Sequence, residues 1–144
     1  VYKRQEQSIR PGIEALMAEA NESGLPFGVA SSSNRTWVVR NLTARGILSQ
    51  FNAICTSDDV EKVKPDPALY RLAAARLGVE PQNTIAIEDS RNGMLGAKRA
   101  GLRCIVVANP ITANQDFSEA DLVLETLDGL TLDQMAHILH GEER

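Results

Sequence analysis

The sequence predicts an α/β fold built on a mostly parallel sheet, and three observations carry that reading. Short, β-prone apolar runs alternate with stretches of helical apolar spacing about 10–15 residues long, the pattern of βαβ units with right-handed crossovers. Most of the helical stretches stop at a glycine (Gly24, Gly46, Gly78, Gly101), the residue that tolerates the left-handed C-cap. Finally, the run Thr84-Ile85-Ala86-Ile87 ends in Glu88-Asp89-Ser90. A strand covered on both faces cannot hold two anions, so the acids are expected at its C-terminal end, the edge where parallel sheets place ligands.

In chain order, Ile9 to Ser23 reads as a helix: Arg10-Pro11-Gly12 marks its start, and Ile13, Leu16, Met17 and Ala20 fall on one stripe. Pro26 to Ala30 reads as a short strand leading into Ser31-Ser32-Ser33-Asn34. A second helix is expected from about Arg35 to Arg45, with Trp37, Val38, Leu42 and Ala44 as core contacts. Phe51 to Cys55 is the next strand, followed by a polar loop to Lys64. Pro65-Asp66-Pro67 opens a helix through Leu77. Thr84 to Glu88 is the acid-tipped strand, Asn92 to Ala100 a helix, and Arg103 to Ala108 a strand rich in β-branched residues. Ala120 to Leu124 is a weaker strand, and Thr131 to His140 closes the series as a helix.

Composition narrows the class. The chain has 144 residues, 43% hydrophobic and 24% charged, with net charge −4 and no block of like charge. That suits one domain with a real core and speaks against nucleic acid or an anionic membrane as the main partner. No apolar run approaches the roughly 20 residues of a bilayer span. Cys55 and Cys104 lie in apolar contexts without CxxC spacing, which predicts reduced core thiols and a cytoplasmic setting. The chain opens Val1-Tyr2-Lys3 without an initiator Met, consistent with a processed or truncated start.

Three places could carry chemistry. Ser31 follows an apolar strand, where a hydroxyl and backbone N–H groups can cradle phosphate at a helix N-terminus; the plainer alternative is that Ser33 or Asn34 simply caps the helix. Lys64 precedes Pro65, which holds it extended and aims its ammonium, whereas Lys62 reads as a solvated lysine. Glu88 and Asp89 suit a hard cation such as Mg²⁺, which takes oxygen ligands and keeps some water; adjacent acids also occur as solvated turn residues. His137 and His140, spaced i, i+3 on the last helix, lack a third ligand nearby in sequence and read as a surface helix end.

Together, Ser31 after a strand, Lys64-Pro65-Asp66-Pro67 and Ile87-Glu88-Asp89-Ser90 resemble, in order and spacing, motifs II, III and IV of the haloacid dehalogenase (HAD) superfamily. The run Glu88 to Gly93 with Ala97, Ala100 and Gly101 is similar to its β-phosphoglucomutase and phosphoglycolate phosphatase branch. The resemblance, covering about Arg10 to Leu130, implies a three-layer Rossmann-like core and Mg²⁺-dependent phosphoryl transfer through an aspartyl-phosphate. It implies that Ser31 and the Ser32 backbone N–H bind the phosphoryl group, that Lys64 stabilises charge, that Asp89 is a metal ligand, and that Glu88 is a second ligand or an outer-shell acid. Asn34 and Arg35 are candidate substrate-loop residues.

The family's first motif, a strand ending in Asp-x-Asp whose first Asp is the nucleophile, has no match. Asp58-Asp59 lies in a polar loop, Asp66 in the Lys-Pro turn, and Asp116, Asp121, Asp128 and Asp133 are scattered. The resemblance places that strand at the sheet centre, between the Ser31 and Glu88 strands, with a helical cap inserted after it. Residues 1–9 are then expected to be the cap-to-core linker and residues 10–144 an incomplete core, inactive alone. A marginal monomer, direct pairing of the two flanking strands, or homo-oligomerisation through the gap are the expected consequences. Two further readings stand beside the enzyme acting on a small phosphorylated metabolite. One is a non-catalytic Mg²⁺/phosphate-binding or self-associating module; the other is a receiver-like or flavodoxin-like domain, which leaves the spacing of the three sites unexplained.

Overall fold

The computed structural model describes residues 11–140, so the expected linker at residues 1–9 lies outside the described part. The order is α1 (Ile13–Ser23), β1 (Gly28–Ala30), α2 (Arg35–Ala44), β2 (Ala53–Cys55), α3 (Ala68–Leu77), β3 (Ile85–Glu88), α4 (Arg91–Arg99), β4 (Arg103–Val107), β5 (Leu122–Leu124) and α5 (Leu132–Leu139). Single 3-10 turns sit at Leu48–Gln50, Ser57–Asp59 and Pro81–Asn83. Every strand pair is parallel, as the alternating pattern predicts. Among the described residues, no helix is long and apolar enough to cross a membrane.

The sheet is split. Among the described residues β1 pairs only with β2, and β3, β4 and β5 form a separate three-stranded sheet. Direct pairing of the Ser31 strand with the Glu88 strand, one of the three alternatives, does not occur. Instead a groove separates them, with the apolar side chains of Ile13, Ala30, Ile87, Val107 and Leu127 on its walls. Strand alternation explains one detail of this edge. The Ser31 N–H bonds the Cys55 carbonyl at 2.9 Å, toward β2, so the neighbouring Ala30 carbonyl points the other way. It is met there by the Lys64 ammonium, at 2.7 Å.

The larger sheet is covered on both faces. Ile105 and Val107 pack with Leu16 of α1 and with Met135 and Ile138 of α5. Cys104 and Val106, alternating to the other face, pack with Met94, Leu95 and Ala97 of α4 and with Tyr70 of α3. α3 also covers the smaller sheet, where Leu69 and Ala73 meet Cys55. α1 is docked through Gly12, whose φ is +92°. A Cβ at Gly12 would stand 2.5 Å from the Leu127 carbonyl carbon, so only glycine serves there.

Two expectations about α2 and the strand lengths change. Val38 is buried, but Ala44 is exposed, and Asn41 takes a buried position instead. Its amide donates to the Trp37 carbonyl at 2.8 Å, which makes the burial affordable. β1 and β2 are three residues each, shorter than the apolar runs that predict them. At the ends of those runs the Asn52 N–H still bonds the Phe27 carbonyl at 2.8 Å, and the Phe27 and Phe51 rings meet edge to face at 5.4 Å. Both cysteines are free and buried, as expected. Burial, and then the negative charge of Glu88, pushes the Cys104 thiol up to about 12, so it stays protonated.

Candidate active site

Three of the loops that follow strands converge at the C-terminal edge of the sheets. Ser31 and Ser32 come from the end of β1, Lys64 from the turn before α3, and Glu88, Asp89 and Ser90 from the end of β3. With Asn92 and Gly93 of α4 they line one groove. The sequence-predicted Ser31, Ser32, Lys64, Glu88 and Asp89 are therefore brought together.

Local chemistry positions each of them. The Ser31 hydroxyl oxygen accepts from the Ser33 backbone N–H at 3.1 Å, folding the serine run into a tight turn. Ser90 is the N-cap of α4 and accepts from the Gly93 N–H at 3.1 Å. Gly93 and Gly96 each weaken α4 as a helix by about 1 kcal/mol, and both are explained by close approach. A Cβ on Gly96 would meet the Asp66 carbonyl oxygen at 3.3 Å and the Lys64 side chain at 3.4 Å. α4 thus presses the Lys64 stem toward the groove.

Glu88 and Lys64 form the buried centre of this arrangement. Their closest approach is 2.5 Å, and their side chains are only 8% and 12% exposed. The same Glu88 oxygen accepts the Tyr70 hydroxyl. The Lys64 ammonium lies 5.0 Å from the Tyr70 ring centroid, over its face. Burial, and then the adjacent Glu88 charge, raises the Tyr70 phenol well above its ordinary value, so it remains a neutral donor. Tyr70 was not legible as a site residue. Its only signal is position: it follows Lys64 by six residues, in the first turn of α3.

Asp89 is held differently. Its carboxylate Oδ2 accepts from Asn109 Nδ2 at 3.1 Å, and its backbone carbonyl accepts from the Thr112 hydroxyl at 2.6 Å. The sequence reading also passed over these two residues, which belong to the loop leaving β4.

Asn34 and Arg35 do not line the groove. Asn34 is the N-cap of α2, accepting from the Trp37 N–H at 2.8 Å. The Arg35 backbone N–H donates to Asp58 at 2.9 Å, and its guanidinium donates to the carbonyl of Ile54 in β2 at 3.2 Å. Among the described residues, no three His, Cys, Asp or Glu side chains cluster as a self-sufficient metal cage. The donor set suits Mg²⁺ held in the open manner of phosphoryl-transfer sites, by one or two carboxylates with water and phosphate oxygens completing the shell. Asp89 fits the role of direct ligand. Glu88, with one oxygen already taken by Lys64 and Tyr70, fits that of the acid behind it.

Residues 1–107 match the family model described as haloacid dehalogenase-like hydrolase. The chain belongs to this family. Its relatives include the Bacillus subtilis protein YhcW, 46% identical over 90% of this chain and 60% of that protein. Protein CbbY of Cereibacter sphaeroides is 39% identical over 84% of this chain and 54% of its own length. Hexitol phosphatase B of Escherichia coli (strain K12) is 38% identical over 84% of this chain and 55% of its own. The chain therefore spans a little over half the length of these relatives. Among solved structures of the haloacid dehalogenase type, CbbY from Rhodobacter sphaeroides in complex with phosphate superposes with TM-score 0.80 at 39% identity, covering 87% of this chain and 57% of that one. A β-phosphoglucomutase from Clostridium difficile gives TM-score 0.81 at 26% identity, covering 92% and 57%.

Proposed function

We propose that this chain is the phosphate- and Mg²⁺-binding core of a phosphatase or phosphomutase acting on a small phosphorylated metabolite. One observation carries the reading: a buried Lys64–Glu88 pair stands in the same groove as a serine turn and the Asp89 carboxylate. The names of relatives such as hexitol phosphatase B and of the CbbY–phosphate complex support the substrate class.

In this reading the Ser31 hydroxyl and the Ser32 backbone N–H bind phosphoryl oxygens at the mouth of the groove. Lys64, held between the Ala30 carbonyl and Glu88, offsets negative charge on the phosphoryl group and on an attacking carboxylate. Asp89 would hold Mg²⁺, which when bound supplies charge neutralisation for phosphoryl oxygens. Glu88 keeps Lys64 in place. The nucleophile is not assigned to any residue of this chain. We infer that a parallel strand ending in carboxylates fills the apolar groove between β1 and β3 in the active enzyme, delivering a nucleophilic Asp that carries the phosphoryl group as an aspartyl-phosphate. Among the described residues β1 and β3 have no strand paired on the sides that face each other, which favours a second reading, self-association through the groove. This would appear as a concentration-dependent mass in sedimentation.

Two measurements on the purified chain test the proposal. Calorimetric titration is expected to show Mg²⁺ binding that disappears in Asp89→Ala, and the folded chain is expected not to turn over p-nitrophenyl phosphate. Equal Mg²⁺ binding by the parent and Asp89→Ala would remove Asp89 from the site. Turnover in the parent that vanishes in Asp89→Ala would mean that the chain holds, or acquires by self-association, a nucleophile of its own.

A further inference from the structure

The turn that follows β4 is built around Asp89 rather than around its own strand. Asn109 Oδ1 accepts the backbone N–H groups of Ile111 and Thr112, at 2.8 and 3.0 Å. Thr112 Oγ1 in return accepts the Asn109 N–H at 3.0 Å. The two side chains thus close the turn on itself. What remains to each is a donor, the Thr112 hydroxyl proton and the Asn109 amide, and both reach the same residue across the edge of the sheet. The hydroxyl takes the Asp89 backbone carbonyl at 2.6 Å, and the amide takes its carboxylate at 3.1 Å.

Asp89 lies one residue past the Glu88–Val106 pair that ends the β3–β4 ladder. Thr112 is 7% exposed, a buried hydroxyl whose donor and acceptor are both used. The far end of the loop is tied down as well. The Arg91 backbone N–H donates to the Gln115 side chain at 2.7 Å, and the Arg91 guanidinium donates to the Asp116 carbonyl at 2.8 Å. The loop therefore lies across the start of α4 as an anchored strap.

We propose that Asn109 and Thr112 are positioning residues for Asp89, forming a clamp, complete without any ligand, that sets the direction of its backbone carbonyl and its carboxylate. The functional weight of the clamp rests on the reading of Asp89 as the Mg²⁺ ligand. Outer partners of a ligating carboxylate typically govern metal affinity by about 10- to 100-fold.

The test compares the parent chain with Thr112→Val, Asn109→Ala and the conservative Thr112→Ser. In metal-free protein, three-bond NMR couplings from Asp89 Cγ to its backbone N and carbonyl carbon report its side-chain rotamer. The parent and Thr112→Ser should show couplings of a single rotamer, and Thr112→Val and Asn109→Ala averaged ones. Mg²⁺ affinity by calorimetry should fall about 10-fold in the last two and recover in Thr112→Ser. A turn that only supports the fold would lower the melting temperature while leaving the Asp89 couplings as in the parent. That result in both variants overturns the clamp. The two readings fail separately: the couplings decide the clamp, and Mg²⁺ titration of the parent decides the metal assignment.

Discussion

Replacing Lys64 by methionine is expected to lower the unfolding free energy by about 3–5 kcal/mol, the cost of removing one partner from a buried ion pair. The methylene stem would still pack, but Glu88 would be left 8% exposed with only the Tyr70 hydroxyl, and the Ala30 carbonyl would lose its donor. Urea denaturation of the parent, Lys64→Met, Glu88→Gln and the double variant measures this directly. If the penalty is that of an orphaned charge, the double variant recovers much of it, because an amide beside Tyr70 needs no cation. Additive losses would mean instead that Lys64 contributes chiefly by packing. The same variant removes the proposed phosphate cation, so weaker binding of inorganic phosphate should accompany it even where the double variant is stable.

Gly93→Ala should have the next largest effect, about 3 kcal/mol, at the upper end of overpacking costs. A Cβ there would stand 1.9 Å from Glu88 Oε1 and 2.2 Å from its carboxyl carbon. A flexible surface carboxylate would swing away from such an intrusion. This one is fastened on its other oxygen by Lys64 and Tyr70, so either α4 shifts or the ion pair breaks. Alanine is the better helix former, and at an exposed position it would stabilise α4. The sign of the change therefore separates tertiary packing from propensity. Combining Gly93→Ala with Glu88→Ala removes the clash, and the double-mutant cycle should be strongly non-additive.

What the sequence disclosed and what it withheld divide along a physical line. β3 was legible because an apolar run that ends abruptly in two acids is a statement about burial, which local composition records. The cap of α2, unlike the Ser90 cap of α4, which was not read from the sequence, was legible as a local choice between Ser33 and Asn34. Asn34 takes it by accepting from the Trp37 N–H three residues on. Reading Asn34 and Arg35 as substrate-loop residues gave that local role too little weight. Ala44 failed as a core residue because helical spacing alone did not favour it over Asn41, which became buriable once its amide found the Trp37 carbonyl. Tyr70, Asn109 and Thr112 carry no local signature. Their partners lie 18 to 23 residues away in sequence, so their role exists only once α3 and the β4–β5 loop have docked. The Lys64–Glu88 contact is of the same kind: each member could be singled out by its motif, but their mutual burial could not.

The divided sheet also bears on how the molecule breathes. Among the described residues no ladder hydrogen bond joins β1–β2 to β3–β4–β5, so the amides of the first pair can become exposed to solvent exchange without breaking a ladder bond of the second. Cooperative opening units tend to follow such seams. The smaller unit is joined to the larger through the side chains of α3 and the Lys64 bridge between Ala30 and Glu88. Protection in β1 and β2 should then track the integrity of that bridge, while the amides of β4, flanked by strands on both sides, report the stability of the whole.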